Sequence, residues 1–380
     1  MRRADELAAF TEAPGRITRP LATPSLAGAM DRVRAWMEEA GLATRSDPLG
    51  NLAGRRGDPR IVLGSHLDSV DDAGRYDGIL GVLVGIEVAA ATDVPLEVVA
   101  FADEDGLRFP GGSFLGSRGY LGRLTREDLA LRDGQGVTLG EAIGAAEPWP
   151  GIAPAEIDAY LEVHIEQGPV LDAEGLPLGV VTAIAGQSVA TVAFAGQAGH
   201  AGTTPMPLRR DALTAAAELV LAAEAMAREE PALVATAGRL AVPRGAANVI
   251  PGRAEMTLDV RHASDPVRER AMAQLRAAAR EIGERRGVAV EWEERAVPAT
   301  ACAPALVARV ARAVEAVGAP VRELVSGAGH DAMTLATVTG VAMLFVRCAG
   351  GISHHPDESV DEADVALAVD AAVRFVRGLA

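Results

Sequence analysis

The chain has 380 residues, enough for two or three domains around a sizeable core, which sets aside a single small binding module. Hydrophobic residues make up 49% and charged residues 23%, the balance of a globular protein and not of a disordered tail. All 36 basic residues are Arg against 52 acids; the net charge of −16 argues against nucleic-acid binding, and the absence of Lys excludes a Schiff-base lysine and a Walker P-loop.

At the N-terminus, charge replaces the apolar run of a cleaved leader. The longest apolar stretch, 78–91, is broken by Glu87 and falls short of the about 18 residues a membrane span needs. A cytoplasmic protein with no membrane partner is expected. Apolar runs then alternate with helical patterns: 61–67 reads as a buried strand, 78–92 as a helix and 96–102 as a second strand. Such a βαβ unit places ligands beyond the carboxyl ends of its strands. Near residue 186 the character changes. Residues 188–195 and 254–262 alternate with period two, and helical patterns cover 208–228 and 266–286. The α/β rhythm returns at 305–317, 341–347 and 361–377. The expected fold is α/β, with a discontinuous catalytic domain (1–186 and 299–380) on a mixed, mostly parallel sheet and an inserted α+β domain at 187–298. Cys302 and Cys348, far apart, supply neither a disulfide framework nor a thiolate metal cage.

The chemistry begins at His66-Leu67-Asp68, where alternate residues of a strand share a face, so a carboxylate can orient the imidazole. Asp77 follows at a helix entrance where Gly78 and Gly81 permit close backbone approach, and a polar loop with Asp77 as N-cap is the equal alternative. Asp103-Glu104-Asp105 stacks three acids behind an apolar strand, costly unless neutralised, although alone it would read as a solvated acidic turn. Glu162, His164 and Glu166 fall on one strand face, as a ligand with its supporting carboxylates would. His354 and His355 follow another strand. Three clusters of His and acid at strand ends suggest divalent metals held by imidazole and oxygen.

His66-Leu67-Asp68, Asp77-Gly78, Glu104-Asp105-Gly106, His164-Ile165-Glu166-Gln167-Gly168, the segment Gly196 to Met206, Asn248-Val249-Ile250-Pro251-Gly252 and Ser353-His354 together resemble one family. It is the N-carbamoyl-L-amino acid hydrolase, allantoate amidohydrolase and β-ureidopropionase group, within the dinuclear-metal aminoacylases and carboxypeptidases. The resemblance runs in order through nearly the whole chain. It implies two divalent metal ions per subunit, manganese or zinc first and cobalt or nickel next, with Asp77 shared, His66 and His164 completing one site and Asp105 and His354 the other. It further implies Glu104 as general base toward the attacking water and Asp68 as the residue that orients His66. Asp105 departs from the two consecutive Glu usual in the family, and a side chain one methylene shorter alters the reach of that ligand.

The resemblance also makes the inserted domain a lid and dimerisation domain of a homodimer. His200 is then the residue lent to the partner subunit's site to polarise the scissile carbonyl. Arg261 shares a strand face with Glu255, Thr257 and Asp259 and would bind a substrate carboxylate, with Asn248 and Gln167 beside it; a salt bridge to Asp259 is the alternative. His330 is a further substrate-side candidate, with capping of the following helix nearly equal, and His262 is assigned to structure. The implied reaction is metal-dependent hydrolysis of a linear ureido C–N bond in a small carboxylate-bearing ureide, releasing ammonia and carbon dioxide. An aminoacylase or dipeptidase activity and a catalytically silent binding protein are the alternatives.

Overall fold

A computed structural model describes residues 1–379. It divides into two compact units, Met1–Thr182 with the chain from Cys302 onward, and Ala183–Ala301.

The first unit is built on a nine-stranded mixed sheet. At its centre Leu96–Phe101, Ile61–His66, Ala159–Ile165 and Gly340–Val346 run parallel in that spatial order. Antiparallel strands flank them, Leu52–Arg56 and Ala43–Ser46 on one side and Leu178–Ile184 on the other. Every residue of the first three central strands is buried, the pattern of parallel strands covered on both faces. The helix Ile79–Ala91 is apolar nearly all round and packs on this centre. Because the four strands are parallel, their carboxyl ends emerge along one edge, and the loops after His66, Phe101, Ile165 and Val346 meet there.

Gly78 sets how the first of those loops enters its helix. Its φ is +66°, and a Cβ there would sit 2.4 Å from the His66 ring, so the backbone closes onto the imidazole only because the side chain is missing. The helix starts at Ile79 with no side chain capping it. Asp77 is therefore not an N-cap, and its carboxylate points elsewhere.

The second unit is a four-stranded antiparallel sheet ordered Ala289–Val297, Gly186–Ala195, Arg253–His262 and Val234–Ala241. Ala254, Met256, Leu258 and Val260 alternate into a core with Val192, Phe194, Leu219 and Leu275. Leu219 and Leu275 come from the helices Ala212–Glu229 and Asp265–Arg286. The first of these begins later than the expected 208, because Met206–Leu208 forms a separate 3₁₀ turn and Asp211 caps the helix by accepting from the Leu213 and Thr214 N–H groups.

Candidate metal centre

Asp77 is the hub of the strand-end cluster. Its Oδ1 lies 3.4 Å from His164 Nε2 and accepts from Gln167 Nε2 at 2.9 Å, while its Oδ2 lies 3.0 Å from His354 Nε2. One carboxylate thus faces two imidazoles with different oxygens. Asp105 Oδ1 approaches His354 Nε2 at 3.9 Å from the neighbouring loop. His66 and His164 come from adjacent strands, their ring centroids 5.7 Å apart. Three overlapping trios, His66-Asp77-His164, His66-Asp68-Asp105 and Asp77-Asp105-His354, each bring three donor atoms within 4.8 Å of one another.

Asp68 does two things. Its Oδ1 sits 3.4 Å from His66 Nδ1, and its two oxygens accept the Glu104 and Asp105 N–H groups at 3.0 and 3.2 Å. It therefore positions the imidazole and the acidic turn together. His164 Nδ1 donates to the Ile165 carbonyl at 2.9 Å, which leaves Nε2 as the acceptor nitrogen beside Asp77; the Gly78 N–H donates to it at 3.2 Å, a bond that a metal on Nε2 would replace. The neighbouring carboxylates play no part in this. Glu162 accepts from Ser65, Tyr160 and the Ala332 N–H, and Glu166 accepts the Val170 and Leu171 N–H groups at the start of a short helix. Shared strand parity puts Tyr160, Glu162 and His164 on one face, and Glu162 turns to the Tyr160 hydroxyl instead of the imidazole.

The acidic turn is not solvated. Asp103 is fully buried, and Asp105 Oδ2, also buried, lacks a hydrogen-bond partner among the described residues. Burial pushes the Asp105 carboxyl up to about 7 and Glu104 well above its usual value, although His66 opposes both. Burial would also raise Asp77, yet the His354 hydrogen bond and the fields of His164 and His66 hold it well below the carboxylate range. His164, desolvated, falls to about 4 and is neutral at pH 7. Burial would lower His66, but Asp68, Glu104 and Asp105 carry it well above its usual value.

Among the described residues, the ion-pair partners of Asp68, Asp77 and Asp105 are all histidines. A concentration of buried carboxylates that has only the buried Arg19, beside Asp68, as a neighbouring guanidinium, and that leaves a buried oxygen of Asp105 unpaired among the described residues, fits divalent cations. The donors are imidazole nitrogen and carboxylate oxygen without thiolate, a set suited to manganese, zinc, cobalt or nickel.

The profile of Peptidase family M20/M25/M40 matches residues 62–378, which span all of these loops. The chain belongs to this family. Within it, the chain is 40% identical to an N-carbamoyl-L-amino acid amidohydrolase of Geobacillus stearothermophilus over 96% of its own length and 94% of that protein's. It is 39% identical to a probable allantoate deiminase of Oryza sativa subsp. japonica, covering 98% of this chain and 87% of that one. A crystal structure of a hydantoinase/carbamoylase family amidase from Burkholderia multivorans matches with a TM-score of 0.92 at 36% identity, covering 99% of this chain and 95% of that chain.

Other candidates of this M20/M25/M40 chain are not among the residues of the three trios. His330 is buried, with its Nε2 2.7 Å from Ser326 Oγ and its ring edge-on to His164 at 4.6 Å; it makes no side-chain cap to the helix that follows. His355 is exposed and accepts from the Asp357 N–H, leaving His354 as the histidine at Asp77. In the second unit, His200 and Val249 are paired residues of a two-stranded ribbon, so Asn248 is adjacent, and both His200 and Asn248 are exposed. Arg261 holds Asp259 with Nε and Nη2, both at 2.8 Å, the ion pair weighed above as the alternative, and Gln187 donates to the same carboxylate. His262 accepts from the Ser264 N–H and lies 3.2 Å from the Pro231 carbonyl, a structural placement.

Glu358 was missed. It is 4% exposed, accepts the Tyr76 and Asp77 N–H groups at 2.7 and 3.1 Å through Oε1, and accepts Ser353 Oγ at 3.0 Å through Oε2. One side chain thereby ties the Asp77 loop to the His354 loop. In the sequence it is one acid among 52, and only its place four residues after His354 marks it.

Proposed function

We propose that this chain is a metal-dependent amidohydrolase that cleaves the linear ureido C–N bond of a small carboxylate-bearing ureide, an N-carbamoyl amino acid or allantoate, releasing ammonia and carbon dioxide. The observation that carries the reading is the Asp77 carboxylate, whose two oxygens face His164 and His354 separately while His66 and Asp105 close the two sides. The names of relatives about 40% identical along nearly the whole chain support the ureide class.

His66, Asp77 and His164 would hold one divalent ion, and Asp77, Asp105 and His354 the other, manganese or zinc. When bound, such a pair supplies Lewis acidity toward the scissile carbonyl and lowers the pKa of water. Glu104 stands on the turn that Asp68 pins by its N–H, and burial raises its basicity toward the range in which a carboxylate accepts a proton near neutral pH. It takes the proton of the attacking water and returns it to the departing nitrogen. The carbamate released then breaks down to ammonia and carbon dioxide. Asp68 keeps His66 aligned, and Gln167 holds the Asp77 oxygen that also faces His164.

The Ala183–Ala301 unit acts as the lid and dimerisation domain of a cytoplasmic homodimer. Its Arg261, anchored by Asp259, presents a guanidinium to the substrate carboxylate, and Asn248 joins it. His200, exposed on its ribbon, serves the partner subunit's substrate as a donor to the developing oxyanion. His330, against His164, lies on the substrate side.

An ammonia-release assay on N-carbamoyl amino acids and allantoate, run beside N-acetyl amino acids with added manganese or zinc, tests the reading. Ammonia from a ureide is expected. Free amino acid from N-acetyl substrates without ammonia from ureides would make the chain an aminoacylase instead, and no turnover with metal bound would make it a binding protein.

A further inference from the structure

Away from the metal centre, arginines gather in one groove of the first unit. The helices Pro304–Ala316 and Glu362–Arg377 pack together, and a groove of about 520 Å³ along them is lined by Arg309, Arg312, Arg374 and Arg377, with Asp370 its one acid among the described residues. Each helix contributes two of these residues three apart, so they share a face. In a chain with 16 more acids than bases, 21 of the 36 arginines pair with a carboxylate, yet none of these four has an ion-pair partner among the described residues.

Helix capping accounts for part of the cluster. Arg309 Nη1 donates to the Gly378 carbonyl, and Arg377 Nη2 donates to the Ala91 carbonyl at 2.8 Å, where helix C-termini favour cations. Each cap uses one of five N–H donors. Among the described residues, Arg309 Nε is buried with no partner, and neither Arg312 nor Arg374 has a side-chain hydrogen bond. Four guanidiniums, three of them exposed, line one groove with donors left over from these caps, a setting that favours an anion rich in acceptors, and the planar fork matches tetrahedral oxyanions. The groove volume suits a small molecule.

Its position separates it from the reaction. Arg377 reaches Ala91, the far end of the helix whose other end is at Gly78, and 13 residues at 1.5 Å each place the two ends roughly 20 Å apart. We propose that this groove is a second ligand site of the enzyme, which binds a multiply charged phosphate-type anion, inorganic or a phosphate ester of nucleotide size.

The test is calorimetric titration and thermal melting of the metal-loaded protein with pyrophosphate and, separately, with ADP at fixed ionic strength, for the wild type and for Arg312→Gln/Arg374→Gln. Saturable binding that raises Tm is expected in the wild type, with affinity at least ~10-fold weaker in the double variant, since charge-assisted bonds are lost. Turnover without added anion is expected to be equal in both proteins. Response to both anions assigns the phosphate group itself, and response to ADP alone assigns an ester. No binding, or equal binding in both proteins, as metal withdrawal or occupation of the metal centre would give, overturns the proposal. Arg374→Glu, an exposed charge reversal on the same helix face, serves as a second variant and should weaken binding further.

Discussion

The two units handle polar chemistry in opposite ways. In the first, Ile61–His66 and Ala159–Ile165 are buried at every residue, so functional side chains appear only where strands end, and four loops bring them to one edge. In the second, Arg253–His262 buries every other residue, and its polar face carries Glu255, Thr257, Asp259 and Arg261 in a row. A parallel sheet concentrates chemistry at a point, whereas a one-sided antiparallel sheet spreads it over a surface. Removal of one side chain should therefore cost far more in the first unit than in the second.

The largest effect is expected at the acidic turn. Glu104→Gln should lower turnover by about 10²–10⁴-fold while metal content, read by elemental analysis, stays at the wild-type level. Near-normal turnover would remove Glu104 from its role. Next comes Glu358→Gln, which loosens both the Asp77 and His354 loops and should weaken metal affinity by about 10–100-fold in a chelator competition, with the fold intact by circular dichroism. Unchanged affinity would reduce Glu358 to a loop staple.

Much of this arrangement was legible beforehand, and the reason is the same concentration. Buried runs such as Ile61–His66 and Leu96–Phe101 leave only the strand reading, and the polar residues just after them stand out against apolar surroundings. Flanking strands were not legible. Ala43–Ser46 is short and half exposed, and Ala289–Val297 is largely exposed and rich in charge, with only Val290 and Trp292 alternating toward the core, so little apolar signal marks either, and sheet pairing overrides their local preference. The partners of Glu162 and Glu166 also escaped, because parity within one strand says nothing of donors arriving from Ser65, Ala332 or Leu171. Burial of Asp103, invisible in a run of three acids, depends on how the turn folds back beneath the edge.

Smaller effects are expected in the second unit. Arg261→Ala should chiefly raise KM for a carboxylate substrate, by roughly 10–100-fold if two charge-assisted bonds are lost, with kcat little changed. An equal loss on an uncharged ureide would argue against carboxylate recognition. The smallest concerns Glu218, which Arg285 and Arg286 hold down to about 2 by hydrogen bonds. A depressed carboxylate contributes stability that is present above its ordinary value of 4.5 and is lost as pH falls toward 2. Glu218→Gln should therefore cost under about 1 kcal/mol at pH 7, after allowance for solvent screening, and the difference from wild type should vanish near pH 2. A difference in denaturant midpoint that persists at low pH would assign it to packing.

The central claim is that Asp77 is shared by two metal positions. Titration of metal-free protein with manganese or zinc, followed calorimetrically, tests it most directly when wild type and Asp77→Ala are compared. Two equivalents per chain in the wild type and loss of both in the variant is the predicted result. Retention of two equivalents by Asp77→Ala, or a single equivalent in the wild type, would contradict it.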